Sequence, residues 1–318
     1  MSDKVILITG ATDGLGKVAA QKFLAAGNTV IITGRSEKKL EATTIWLRQQ
    51  QQHLSNKNNS SSSSSSSYMT NKISLHSILL DLSSLESVRR AVESLQSLGL
   101  EKKISVLINN AGTTTYELEY VSETTVVEKT VFVNAVAPWY FTQLLIPLMD
   151  HEQGRILFVT SSLHDPTVRG GRKQNETSMP DDIPLDYLDG HTAWESMLFY
   201  KVSKVAQLWL ALVLAQQLKN IKVIALCPGF VPTTQLNRNT SWFLRLIMYY
   251  LLSRMSFATS EEEATNGYVY YAHEEYEEGF YYRKRQVAEP SKDVKNMDKA
   301  IKFWNMTCDI CHMSEKKL

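Results

Sequence analysis

Tyr200 and Lys204 stand four residues apart in the run F-Y-K-V-S-K. On a helix that spacing puts both side chains on one face, one turn from each other. An ammonium group beside a phenol favours the phenolate and lowers the tyrosine pKa. A tyrosine so activated can give or take a proton near neutral pH. The pair alone is a weak signal. The same chain opens with T-G-A-T-D-G-L-G over Thr9 to Gly16, a glycine-rich turn that can bring a pyrophosphate up to the free N–H groups of a helix start. A proton donor together with a dinucleotide loop points to hydride transfer.

The elements that must position these residues read as alternating strands and helices. Residues 5–9 are a short apolar run, as in a buried parallel strand. Residues 15–26 have helical spacing and stop at Gly27; residues 29–33 are a second strand and residues 37–48 the next helix. Strands follow at 73–80, 104–108, 155–160 and 222–226, with helices at 85–98, 123–149 and 200–219. The helix at 123–149 should be interrupted or kinked near Pro138 and Pro147. This alternation implies an α/β fold, a doubly wound parallel sheet in one domain spanning 1–318. Residues 49–67 pass from glutamines to an uninterrupted serine run, which has nothing to bury and is expected to be a disordered surface insertion.

Bulk properties narrow the function classes. The 318 residues carry 34 Lys and Arg against 33 Asp and Glu, a net charge of +1 that gives no support for a nucleic-acid partner. Hydrophobic content of 43% and charged content of 21% are those of an ordinary globular protein. Three cysteines are too few for a disulfide framework. The chain enters its first strand with no basic region and long apolar run before it, so a reducing, cytoplasmic location is expected.

The cofactor candidates lie at the carboxyl ends of the strands. Gly10, Ala11, Thr12, Asp13, Gly14, Leu15 and Gly16 form the phosphate turn. Arg35 follows the second strand, about twenty residues on, where an acid suits a ribose 2′-hydroxyl and an arginine suits a 2′-phosphate. That favours NADP(H), with NAD(H) the alternative, because the carboxylate of Asp13 beside the loop could repel the same phosphate. Asp81 ends the third strand, either beside an adenine or as a helix cap. Asn110, Ala111 and Gly112 end the fourth, where small and amide residues can pass beneath a ribose.

These motifs, taken with Val159-Thr160-Ser161-Ser162 and Pro228-Gly229, stand in the order typical of the short-chain dehydrogenase/reductase family, which the chain resembles over about residues 5–234. Ser162-Leu163-His164, the P-G-F-V-P-T run and Trp304-Asn305-Met306-Thr307-Cys308 are similar to its retinol dehydrogenase and WW-domain oxidoreductase branch. The resemblance implies a Rossmann-like fold and a catalytic tetrad of Asn134, Ser162, Tyr200 and Lys204. Tyr200 would exchange the proton with the substrate oxygen. Lys204 would lower its pKa and hold the ribose of the nicotinamide. Ser162 is preferred to Ser161 as the serine on the substrate oxygen. Asn134 would hold a water linking Lys204 to solvent. Pro228, Gly229, Val231 and Thr233 would wrap the nicotinamide. The resemblance also implies a homo-oligomer.

Residues 163–199 separate Ser162 from Tyr200, and the polar stretch at 169–189 reads as a loop flanking the active site. Its Asp182, Asp186 and Asp189 fit no metal-loop spacing, so no metal is expected. W-F-L-R-L-I-M-Y-Y-L-L at 242–252, within a substrate lid at about 235–260, is too short to span a bilayer. It reads as a lid over a small lipophilic carbonyl or alcohol, as a core or dimer helix, or as a peripheral membrane contact. Cys308-Asp309-Ile310-Cys311-His312 matches a haem-attachment motif and also a CxxC redox pair, but reads better as an incidental C-terminal helix than as either. The expected function is an NADP(H)-dependent oxidoreductase; the alternative is a dinucleotide-binding sensor with little turnover.

Overall fold

The computed structural model describes residues 4–59, 74–100, 102–168, 179–231 and 258–318. The short apolar runs become strands: β1 (Val5–Ile8), β2 (Thr29–Gly34), β3 (Leu75–Leu79), β4 (Val106–Asn109), β5 (Arg155–Val159) and β6 (Lys222–Cys227). β1, β4 and β5 are buried at every position. Such runs are stable only where helices cover both faces of a sheet. β3, which mixes buried and exposed residues, is the edge strand. Two very short strands, β7 (Tyr281–Arg283) and β8 (Gln286–Val287), extend the other side, giving the order β3-β2-β1-β4-β5-β6-β7-β8. All pairings are parallel except β7 with β8. The sequence reading missed these two strands, which are too short to show a period.

The helices are α1 (Gly14–Ala25), α2 (Glu37–Asn59), α3 (Leu85–Ser97), α4 (Lys129–Leu148), α5 (Ser196–Gln217), α6 (Glu261–His273) and α7 (Met297–Ile310). One apolar core joins the sheet to α1, α2 and α6, the other to α3, α4, α5 and α7. This is the doubly wound, Rossmann-like arrangement. The order reverses between β1 and β4, and ligands bind at that switch point, outside the carboxyl ends of the strands.

Two helices depart from expectation. α2 continues eleven residues past Arg48, so 49–59 is helix rather than disordered insertion. Glutamine is a good helix former and extends a helix already nucleated; residues 60–67 lie outside the described residues. α4 begins at Lys129 because Glu128 caps it with its carboxylate. Its expected interruption is a π turn, Phe132–Val136, immediately before the turn containing Pro138, and a 3-10 turn, Ile146–Leu148, surrounds Pro147. Pro138 has no N–H to give the carbonyl of Asn134, four residues back. α4 and α5 are long and apolar enough to cross a membrane, yet 78% of each apolar window is buried within the protein, as in core helices.

α7 closes the second core behind α5. Trp209 meets Phe303 edge-on at 5.7 Å, and Trp139 meets Trp304 likewise at 4.9 Å. Cys308 and Cys311 are unpaired and buried in this packing, and burial pushes both thiols up, Cys308 to about 11. Both pack into the core at this point.

Candidate active site

The phosphate turn is built by a cap and by the absence of side chains. Asp13 caps α1, its Oδ1 accepting the N–H of Gly14 at 2.9 Å. Gly14 has φ +48, and a Cβ there would meet nothing within 4 Å, so open space faces the helix start. Gly16 is the converse: a Cβ would lie 2.5 Å from the carbonyl oxygen of Gly10 and 2.6 Å from Asn110 Nδ2. That glycine lets α1 pack against the strand ends. Ala11 N–H donates to the carbonyl of Thr33 at 2.9 Å, and Thr12 lies against Gly34. Leu15 is half-buried, and Arg35 is exposed just beyond β2. Asp81 Oδ1 accepts the N–H and hydroxyl of Ser83 at 2.9 and 2.7 Å, while Ser84 caps α3. Asp81 therefore shapes a turn and is not the cap residue.

Asn110 locks the ends of β1 and β4 together. Its Nδ2 donates to the carbonyls of Thr9 at 2.9 Å and Gly10 at 3.3 Å, and its Oδ1 accepts the hydroxyl of Tyr268 at 3.0 Å. Ala111 N–H donates to Thr9 Oγ1 at 3.0 Å. Gly112 faces the catalytic side: a Cβ on it would lie 3.5 Å from Asn134 Oδ1 and 3.9 Å from Lys204 Nζ.

Asn134 braces this loop against α5. Its Nδ2 donates to the carbonyl of Thr113 and to Ser203 Oγ, both at 2.9 Å, and its Oδ1 accepts Thr113 N–H at 2.7 Å. Lys204 Nζ donates to the carbonyl of Val159 at 3.0 Å and lies 5.7 Å from the centre of the Tyr200 ring. Burial pushes Tyr200 up to about 12, opposed by a hydrogen bond from Ser161, and pushes Lys204 down to about 8. The expected lowering of Tyr200 by the ammonium is not what the geometry gives. Lys204 is turned to a main-chain carbonyl, and desolvation of the phenolate dominates.

The serine also differs. The side chain that reaches Tyr200 is Ser161, not Ser162. Ser161 is the second residue past β5, with its own Oγ also accepting Leu163 N–H, whereas Ser162 begins a 3-10 turn and gives its main-chain N–H to Cys227 Sγ at 3.2 Å. Counting from the end of the strand, rather than to the second member of the pair, is the sequence signal that selects Ser161.

Pro228 and Val231 are buried beyond β6, and Gly229 packs against Thr259. Phe230 pairs with Ala258, so the described chain ends on either side of 232–257 meet. Thr233 and the apolar run at 242–252 lie outside the described residues. Asp182 pairs with Lys299, Asp186 and Asp189 form a 3-10 turn, and no metal-holding cluster occurs among the described residues. Sequence reasoning also missed Glu128, wholly buried, which accepts Thr115 and Thr130 hydroxyls at 2.7 and 2.9 Å and the N–H groups of Thr130 and Val131 at 2.6 and 3.3 Å. An acid directly before an apolar helix was the available signal.

A parallel sheet with a phosphate turn at its switch point and a buried Tyr–Lys pair beside a serine defines a dinucleotide-dependent oxidoreductase. The short chain dehydrogenase family model matches residues 4–170, and the chain belongs to that family. It is 27% identical to retinol dehydrogenase 12 of Mus musculus over 96% of this chain and 86% of that protein. It is also 27% identical to the WW domain-containing oxidoreductase of Drosophila melanogaster, over 96% of this chain and 67% of the other. An alcohol dehydrogenase from the archaeon Thermococcus sibiricus, solved with 5-hydroxy-NADP, superposes with a TM-score of 0.60 at 17% identity, covering 91% of this chain and 99% of that one. That likeness concerns the fold. The open space before Gly14 and the side-chain-free Gly112 beside Lys204 fit a nicotinamide dinucleotide laid across the strand ends.

Proposed function

We propose that this protein is an NADP(H)-dependent oxidoreductase that interconverts a carbonyl and an alcohol on an apolar substrate, with Tyr200 as general acid and base. The observation that carries the reading is the meeting of Ser161, Tyr200 and Lys204 at the carboxyl edge of the sheet. The dinucleotide, when bound, supplies or accepts the hydride. Gly10, Gly14 and Gly16 with the start of α1 would hold its pyrophosphate, Arg35 a 2′-phosphate, and Asp81 the adenosine end. Asn110, Ala111 and Gly112 would lie beneath the ribose and Pro228, Gly229, Val231 and Thr233 around the nicotinamide.

Tyr200, pushed up to about 12, keeps its proton at working pH and donates it to the substrate oxygen during reduction. Ser161, in place of Ser162, donates a hydrogen bond to the same oxygen as charge develops there. Lys204 supplies positive charge and ribose contacts. Both amide hydrogens of Asn134 are engaged, so it can join a water relay only as an acceptor. Its main-chain carbonyl, for which Pro138 has no donor, is the group suited to that role. An apolar substrate of retinoid, steroid or lipid-carbonyl type is supported by Tyr116, Met197 and Phe230, each more than two-fifths exposed on segments at this edge. The three unpaired thiols suit a cytoplasmic location.

The test is oxidation of NADPH and of NADH across a panel of apolar aldehydes and ketones, with Tyr200→Phe alongside. Turnover is expected with a lower KM for NADPH, and loss of most turnover in the variant with cofactor binding kept. Retained turnover in Tyr200→Phe would refute the general-acid role. A preference for NADH would remove the role given to Arg35. Tight cofactor binding without turnover would support the sensor alternative.

A further inference from the structure

The peptide group joining Ser161 to Ser162 is held at both ends by side chains. Its carbonyl lies 2.6 Å from Nδ1 of His164, and its N–H donates to Cys227 Sγ at 3.2 Å. His164 is 1% exposed, with its ring edge-on to Tyr281 at 5.0 Å. Its other nitrogen, Nε2, accepts the main-chain N–H of Ser291 at 3.2 Å. A main-chain N–H only donates and a carbonyl only accepts. The two contacts are therefore satisfied together by one form of the ring, neutral and protonated at Nδ1. The opposite tautomer would set two donors against each other at Nε2 and two acceptors at Nδ1. Burial acts in the same direction, holding the imidazole below its ordinary pKa against the opposing pull of the Ser161 carbonyl and, after it, of Asp165.

Building on the assignment of Ser161 to the substrate oxygen, we infer that His164 is a positioning residue: as the Nδ1–H tautomer it fixes the Ser161–Ser162 peptide, and with it the aim of the Ser161 hydroxyl at Tyr200. Through Nε2 it also ties this turn to the segment around Ser291. That segment is anchored independently. Asp293 Oδ2 accepts Ile183 N–H at 3.2 Å, and the Asp293 carbonyl accepts the indole N–H of Trp209 at 3.0 Å. Trp209 belongs to α5, the helix that carries Tyr200 and Lys204. One short stretch, 291–293, thus references the serine turn and the catalytic helix to a common support. It also holds two points of the stretch between Ser162 and Tyr200, His164 near its start and Ile183 near its middle. A serine hydroxyl on an unsupported turn would sample several directions, and misplacement by about 1 Å can cost about a hundredfold in rate.

Two measurements on the full chain test this. The 15N spectrum of the imidazoles, with His164 assigned by its disappearance in His164→Asn, is expected to show a neutral ring protonated at Nδ1 at pH 7. An Nε2–H or cationic ring would overturn the inference, whatever the activity. In steady-state kinetics, His164→Phe keeps an aromatic ring but has no donor, and its kcat should fall by about ten- to a hundredfold while its Kd for NADPH stays within about twofold. His164→Asn places an amide donor at the δ position and should return to within about fivefold of the parent. A His164→Phe variant with parental kcat, or an asparagine variant no better than phenylalanine, would overturn the positioning role. Ser161→Ala measured beside them separates the two layers. Full turnover in Ser161→Ala removes the serine assignment and this inference with it; loss there without loss in His164→Phe removes the inference alone.

Discussion

Ser161→Ala and Ser162→Ala differ by one position in a turn and should differ by orders of magnitude in rate. Ser161 reaches the Tyr200 hydroxyl, so its loss removes a preorganised donor from the oxygen on which charge develops. Losing one such donor costs about 2.7–4 kcal/mol, about a hundred- to a thousandfold in kcat. Ser162 contributes its main-chain N–H to Cys227, which alanine keeps, and its half-buried side chain removes little. Its substitution should stay within about 0.5 kcal/mol, about twofold in rate. The assay is steady-state oxidation of NADPH with the best carbonyl of the panel, together with cofactor titration by tryptophan fluorescence to show that binding is unchanged. Collapse of Ser162→Ala beside a nearly normal Ser161→Ala would refute the placement of the turn. Equal, small losses in both would refute oxygen stabilisation by either serine.

Two further predictions concern ionisation and support. Lys204, pushed down to about 8, is charged below that pH and loses its charge above it, whereas Tyr200, at about 12, stays protonated throughout. Reduction should therefore be level near neutrality and fall through one ionisation near pH 8; a level profile well above that pH would exclude Lys204 as the controlling charge. Glu128→Ala leaves the buried N–H groups of Thr130 and Val131 without their acceptor, while of the Thr115 and Thr130 hydroxyls, 3.1 Å apart, one can donate to the other. At about 1–3 kcal/mol for each unmet N–H, urea unfolding should show a loss of about 2–6 kcal/mol. A loss below about 1 kcal/mol would show that the cap does not hold α4.

Much of the site is legible because its parts are local. The phosphate turn needs only a strand end, glycines and a helix start, and all lie within Thr9 to Gly16. Tyr200 and Lys204 share a face of α5 through helical spacing alone. Other features were misjudged where two local readings compete. The glutamines after Arg48 suit both a low-complexity insertion and a longer helix, and the attachment of α2 to the sheet selects helix as far as Asn59. The pair Ser161-Ser162 offers two hydroxyls of equal chemistry, and the orientation of the turn after β5 selects one.

The alternation of strands and helices, the phosphate turn and the Tyr–Lys pair can be read along the chain, because strand and helix periods and glycine positions act over a few residues. Tertiary structure alone decided which serine meets Tyr200, that Lys204 turns to the Val159 carbonyl, and that His164 joins the serine turn to Ser291, 127 residues away. It also decided the sign of the Tyr200 shift. Desolvation depends on every chain segment that closes over a group, and no spacing in the sequence records that sum.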